Sequence, residues 1–305
     1  MAVNTVKATI NGQEYTLTYN SSTGKYEATI TAPSTSSYNN NAGHYYPVTV
    51  VATDTAGNST TINDQDSTFG DDLKLRVVEK VAPVITITYP TAGATLTTNL
   101  PTITWTVTDN DSGVDPDTIG ITIDSGSKVT GNSITKTAIA GGYSCEYTPS
   151  AALADGSHTI QIDADDFDEN SATAATVTFV VDTVPPTLTV TAPADNSITN
   201  VASCTVTGIT NDATSSPVTL TVQLNSGTPE TVTVGQDGSF SKTITLATGE
   251  NTITVVATDS AGQSTTVTRT VTLDQAAPVF TSVSIVPNPV DAGATYIISV
   301  EVTDA

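Results

Sequence analysis

The stretch Val255-Val-Ala-Thr-Asp-Ser-Ala-Gly-Gln-Ser264 occurs almost unchanged at Val50-Val-Ala-Thr-Asp-Thr-Ala-Gly-Asn-Ser59. A degraded copy stands at Ile162-Asp-Ala-Asp-Asp-Phe-Asp-Glu-Asn-Ser171. Each copy reads as a hairpin: β-branched residues suit the pleat on either side, and Asp, Gly and Asn suit the turn. A proline marker follows each copy, at Val81-Ala-Pro-Val84, Val184-Pro-Pro-Thr187 and Ala276-Ala-Pro-Val279. Proline fixes φ and donates no hydrogen bond, so it belongs where one sheet ends and the next begins. Two markers recurring in one order, roughly a hundred residues apart, imply tandem domains of one kind.

Composition narrows the choice. Aromatic residues are 5% of the chain and charged residues 13%, and small branched side chains fill thin cores between two sheets better than one large core. The net charge of -22 leaves no basic footprint, so nucleic acid and anionic membranes are excluded as expected partners. The acidity has two readings: solubility with protection of sheet edges, or binding of divalent cations. Cys145 and Cys204 fall in different repeats, which favours buried apolar thiols over a bridge. Met1–Ile10 lacks the basic and apolar regions of a Sec signal peptide, and no segment is long enough to span a membrane.

Taken in order, residues 1–80 begin with Val6–Ile10, the turn Asn11-Gly12 and Tyr15–Tyr19, followed by a strand over Tyr26–Ile30. Residues 81–182 hold strands at Val84–Thr88 and Thr102–Thr108, where Trp105 is expected as a core anchor. Residues 183–274 read as seven short strands with turns between them, the pattern of an immunoglobulin-like sandwich. No stretch has a convincing helical period. The expected class is therefore all-β, a tandem of immunoglobulin-like β-sandwiches.

The third repeat is the most specific. Pro185-Pro-Thr-Leu-Thr-Val-Thr-Ala-Pro-Ala-Asp-Asn-Ser197, then Gly238-Ser-Phe240, then Gly249-Glu-Asn-Thr-Ile-Thr-Val-Val-Ala-Thr-Asp259 resemble bacterial immunoglobulin-like domains of the glucodextranase B-domain type. The other repeats are similar to the wider bacterial Ig-like group of surface adhesins and phage virion and tail proteins. The resemblance covers nearly the whole chain. It implies spacers, stalks or adhesive modules outside the cell, on its surface or on a virion, and it carries no catalytic residues.

The two ends complement each other. Residues 275–305 hold two strands without a domain, whereas residues 1–80 lack the first two strands of one, so the ends read as split halves of a further sandwich. Read end to start, Val300–Ala305 followed by Met1–Ile10 makes one continuous repeat. The expectation is donor-strand complementation, with the chain itself as partner in a head-to-tail homopolymer. Val279, Val283, Ile285, Tyr296, Ile298, Val300 and Val302 are the expected donor residues, and Val6, Ile10, Val48 and Val50 the acceptor residues. Such a contact is heterologous and gives a filament unless it closes a ring. The alternative is a piece of a longer tandem array.

In the middle domain, Asp109, Asp111 and Asp115 follow the second strand, and Asp165, Asp166 and Asp168 occupy the repeated turn. These loops meet at one end of such a sandwich, with Glu79 nearby, where oxygen ligands suit structural Ca²⁺. The competing reading is a solvated acidic rim. Residues 109–120 are not an EF-hand, because Val114 stands where glycine is required and Gly120 where glutamate is. No other cofactor is expected. His44 and His158 lie in different domains, no nucleophile triad, phosphate loop or zinc spacing is present, and no enzyme is expected. A second functional reading is a monomeric adhesive stalk binding a cell-surface or glycan receptor through Tyr38, Tyr45 and Tyr46.

Overall fold

The computed structural model describes residues 2–304 and divides into two compact units, 1–181 and 182–305. Met1 and Ala305, which would meet in the end-to-start reading, lie outside the described residues. The first unit opens with β1 (Val3–Ile10), β2 (Gln13–Asn20), β3 (Lys25–Glu27), β4 (Tyr46–Asp54), β5 (Ser59–Ile62) and β6 (Lys74–Leu75). They form one sheet in the order β3-β2-β1-β4-β5, with β6 also on β4. The turn between β1 and β2 is Asn11-Gly12, both at positive φ, which a tight two-residue hairpin requires and glycine adopts freely. The expected strand over Tyr26–Ile30 is only Lys25–Glu27, paired with β2 alone.

The rest of this unit is a two-sheet sandwich. Its strands are β7 (Val84–Tyr89), β8 (Thr95–Leu96), β9 (Ile103–Thr108), β10 (Gly120–Ile123), β11 (Thr135–Ile139), β12 (Gly142–Tyr147), β13 (Gly156–Asp163) and β14 (Ala175–Val181). One sheet runs β11-β12-β9-β7 and the other β10-β13-β14-β8. Alternate residues face inward, so Ile103, Trp105 and Val107 of β9 meet Ile160 and Ile162 of β13 and Phe179 of β14 in one core. Each fully buried Ile or Val is worth ~1.5–3 kcal/mol of transfer free energy.

The second unit holds a sandwich of the same plan: β15 (Thr187–Ala192), β16 (Ser197–Thr199), β17 (Ser203–Asn211), β18 (Thr219–Leu224), β19 (Glu230–Val232), β20 (Ser239–Thr245), β21 (Gly249–Thr258) and β22 (Ser264–Leu273). The sheets are β15-β17-β20 and β16-β22-β21-β18-β19, with β16 parallel to β22 from Ser197 opposite Val271 to Thr199 opposite Leu273. Its core joins Val206, Leu220, Ile253, Val255 and Ala257. The pairing of β1 with β4 repeats that of β10 with β13 and of β18 with β21. The first domain thus holds the sheet that ends in the repeated hairpin. Among its described residues no strands occupy the places of β7 and β9.

The last two strands are β23 (Val279–Val286) and β24 (Ile297–Thr303), which among the described residues pair only with each other. Their antiparallel register is that of the opening hairpin of each sandwich. Val279 faces Thr303 as Val84 faces Thr108 and Thr187 faces Asn211, with a bulge in β23 as in the other two first strands.

Candidate functional site

The repeated turn is built by its aspartate. Asp54 Oδ1 accepts the backbone N–H groups of Ala56 and Asn58, while Oδ2 accepts the Asn58 side-chain amide at 2.9 Å. Asp166 does the same with Asp168, Asn170 and the Asn170 amide, all at 2.8 Å. Asp259 Oδ1 accepts the N–H of Gln263 at 2.9 Å. The longer Gln263 side chain, however, donates to the Asp182 carbonyl at 2.9 Å. Asp259 Oδ2 is left buried and without a partner.

Of the six aspartates singled out in the middle domain, two come together. Carboxylate oxygens of Asp109, Asp166 and Glu79 lie within 4.8 Å of one another. Asp109 Oδ1 accepts from the N–H groups of Asp111 and Gly113, and Glu79 Oε1 from that of Ser112. Burial raises the pKa of Glu79; hydrogen bonding from Ser112 opposes this, and the charges of Asp109 and Asp111 add to the rise. The other four aspartates stand outside this trio. Asp111 Oδ1 accepts the Ser36 N–H at 2.8 Å, Asp115 caps Asp117, Asp168 Oδ2 accepts the Glu79 N–H, and the Asp165 backbone pairs with Asp115 and Thr118.

The third domain repeats the trio at Asp182, Asp212 and Asp259, again within 4.8 Å. The sequence reading passed over these residues. The repeat nevertheless marks them: Asp182 precedes Pro186 as Glu79 precedes Pro83, Asp212 follows its second strand as Asp109 does, and Asp259 is the turn aspartate itself.

Of the expected donor residues, Val283, Ile285, Ile298, Val300 and Val302 share one face of the terminal hairpin. Phe280 faces Val302, Val283 faces Val300 and Ile285 faces Ile298, while Ser282, Ser284, Ser299 and Glu301 line the other face. Val279 pairs with Thr303 on that second face, and Phe280 takes the apolar position instead. Tyr296 lies just before β24 and is exposed. Ile298, Val300 and Val302 are 56%, 50% and 46% exposed, whereas Ile103, Trp105 and Val107 at the same positions of β9 are 0%, 1% and 0%. On the expected acceptor sheet, Ile10 faces Val48, Ala8 faces Val50 and Val6 faces Ala52. Val48, Val50 and Ala52 are half-buried, while their counterparts Ile253, Val255 and Ala257 are buried completely.

The tyrosines do not form an open platform. Tyr46 is buried with its hydroxyl on Thr35, and Tyr45 donates to Asp64 at 2.8 Å. Tyr38 stacks on His44 at 4.0 Å and on Phe167 at 4.1 Å, so both its ring faces are covered. His158 bridges Asp124 and the Ala154 carbonyl. Both cysteines are free; burial pushes the Cys145 thiol up to about 11.

Residues 186–275 match the family model of glucodextranase, domain B, and residues 83–162 that of the bacterial Ig domain. No curated protein matches the chain. Similar solved structures include the titin I-band fragment I67-I69, at 12% identity over 88% of this chain and 87% of that one (TM-score 0.45). A tetra-tandem repeat from the extending region of a large adhesion protein is similar at 20% identity over 98% and 79% (TM-score 0.34). Fibronectin(III)-like modules of CbhA from Clostridium thermocellum match at 18% over 63% and 94% (TM-score 0.34). Bacterial Ig domains are usually extracellular or on the cell surface and are typically non-catalytic; domain B of glucodextranase is an accessory domain of its enzyme. No helix among the described residues is long and apolar enough to cross a membrane.

Proposed function

We propose that this chain, a tandem of bacterial Ig-like domains, is a structural protein that joins head to tail by donor-strand complementation into an extracellular or virion-associated fibre. The observation that carries the reading is the terminal hairpin. It has the register of the strand pair that opens each complete sandwich, and it exposes the side chains that those sandwiches bury. Docked on the first domain of the next subunit, its apolar face would cover Val48, Val50 and Ala52. Backbone pairing would supply affinity and the side chains a closed core. The acidic trio gives further support: Asp54 sits on the acceptor's repeated turn, while Asp274 and Asp304 hold the two remaining positions on the donor. In the middle domain, Glu79, Asp109 and Asp166 would hold structural Ca²⁺, seen as a melting temperature that falls on chelation.

Light scattering coupled to size-exclusion chromatography tests the joint, on the full chain and on a version ending at Leu273. The full chain is expected to form oligomers or filaments and the shortened one to remain a monomer. If both run as monomers, complementation is wrong and the hairpin opens a further domain of a longer stalk.

A further inference from the structure

We propose that Asp182, Asp212 and Asp259 form a calcium site inside the sandwich of the third domain. The three side chains come from the segment before β15, the loop after β17 and the turn between β21 and β22. They are 0%, 8% and 5% exposed. One oxygen of each is used by the backbone: Asp182 Oδ1 accepts Val184 N–H at 3.2 Å, and Asp212 Oδ1 those of Thr214 and Ser215 at 2.8 and 2.6 Å. Asp259 Oδ1 takes the N–H of Gln263. Asp182 Oδ2, Asp259 Oδ2 and the neighbouring Ser215 Oγ are buried with no hydrogen-bond partner. Native interiors rarely leave such oxygens unmatched.

Charge makes the same demand. No ion pair to any of the three is formed among the described residues. Three buried carboxylates within 4.8 Å of one another, with no basic side chain to neutralise them, call for a compensating cation. The donors are all hard oxygens, which excludes soft-metal preference. They converge from three separate segments, which suits the adaptable shell of Ca²⁺ better than the strict octahedron of Mg²⁺. The replacement of Asn58 and Asn170 by Gln263 at the same turn position is what withdraws the amide from Asp259 Oδ2 and leaves that oxygen free. A bound ion would pin the entry of the chain to two loops of the sandwich.

The test uses the full chain, stripped with chelator and titrated with calcium chloride. Bound ions are counted by native mass spectrometry, and hydrogen exchange is followed in peptides covering 212–216 and 259–263. Wild type is expected to bind Ca²⁺, to gain protection in both segments, and to melt about 10 °C higher in that unit at a hundredfold excess over the dissociation constant. Asp259→Asn keeps an acceptor for the Gln263 N–H and removes the charge. It is expected to bind one ion fewer and lose the protection, while melting no lower than wild type without calcium. Asp212→Asn, which keeps its own turn in the same way, should repeat the result. Asp166→Asn should leave the protection at 259–263 intact, which separates this site from the middle domain. Absence of calcium-dependent protection in wild type, or an unchanged ion count in Asp259→Asn, overturns the proposal. Protection by magnesium but not calcium overturns the choice of ion.

Discussion

The buried His158 is held by two specific partners, Asp124 and the Ala154 carbonyl, and shows how such a pairing couples to solvent. Burial works against its charged form, yet hydrogen bonds to the Ala154 carbonyl and to Asp124, with the Asp124 charge, outweigh it and raise the pKa. A raised native pKa contributes stability that is fully present below the unfolded value of about 6.5 and is lost as pH rises through the native value. The middle domain should therefore melt at a lower temperature at about pH 8 than at about pH 6, and Asp124→Asn should flatten that dependence in a calorimetric series. An unchanged slope in the variant would refute the assignment. At this scale the turn aspartates were legible, because Asp54 and Asp259 stand in a nearly identical string. The freeing of Asp259 Oδ2 was not, since Gln for Asn reads as conservative and only the reach of its side chain redirects the amide to Asp182.

In β23 and β24 both faces are exposed, unlike the central strands of the two sandwiches, and β24 offers the test. Ile298, Val300 and Val302 are half-exposed, so Val300→Asp should change the stability of the monomer by less than about 0.5 kcal/mol, as surface substitutions do. The same change would place an unpaired charge in the completed core of an assembled joint, with a cost of several kcal/mol. Sedimentation velocity should then show loss of oligomers with an unaltered monomer melt; oligomers that persist would refute the joint. Strand order was readable from β-branched runs and proline markers. Tyr26–Ile30 reads as a full strand because its alternation is sound. In the structure the strand ends at Glu27 and pairs with β2 alone. The packing of residues 36–44 on the middle domain, through Ser36, Asn39 and Tyr38, left no periodic signal, since irregular polar loops carry none.

For the whole molecule, charge sets the pace of any self-association. Every copy carries a net charge of -22, so encounter between copies is opposed at low ionic strength and eased once salt shortens the Debye length to ~8 Å. Stopped-flow light scattering should show assembly accelerating as salt is raised toward about 0.15 M; a rate that falls would indicate that opposite charges steer the contact. The parallel pairing of β16 with β22 has a mechanical consequence. Tension applied through Asp182 and Asp274 draws these two strands past each other, so their ladder, Ser197 on Val271 through Thr199 on Leu273, is loaded in shear and its bonds must fail together. Attachment at Thr199 and Asp274 would instead peel the ladder open from one end, and single-molecule pulling should meet a lower rupture force there. A sandwich built this way resists a pull applied through its two ends while remaining easy to open at one edge.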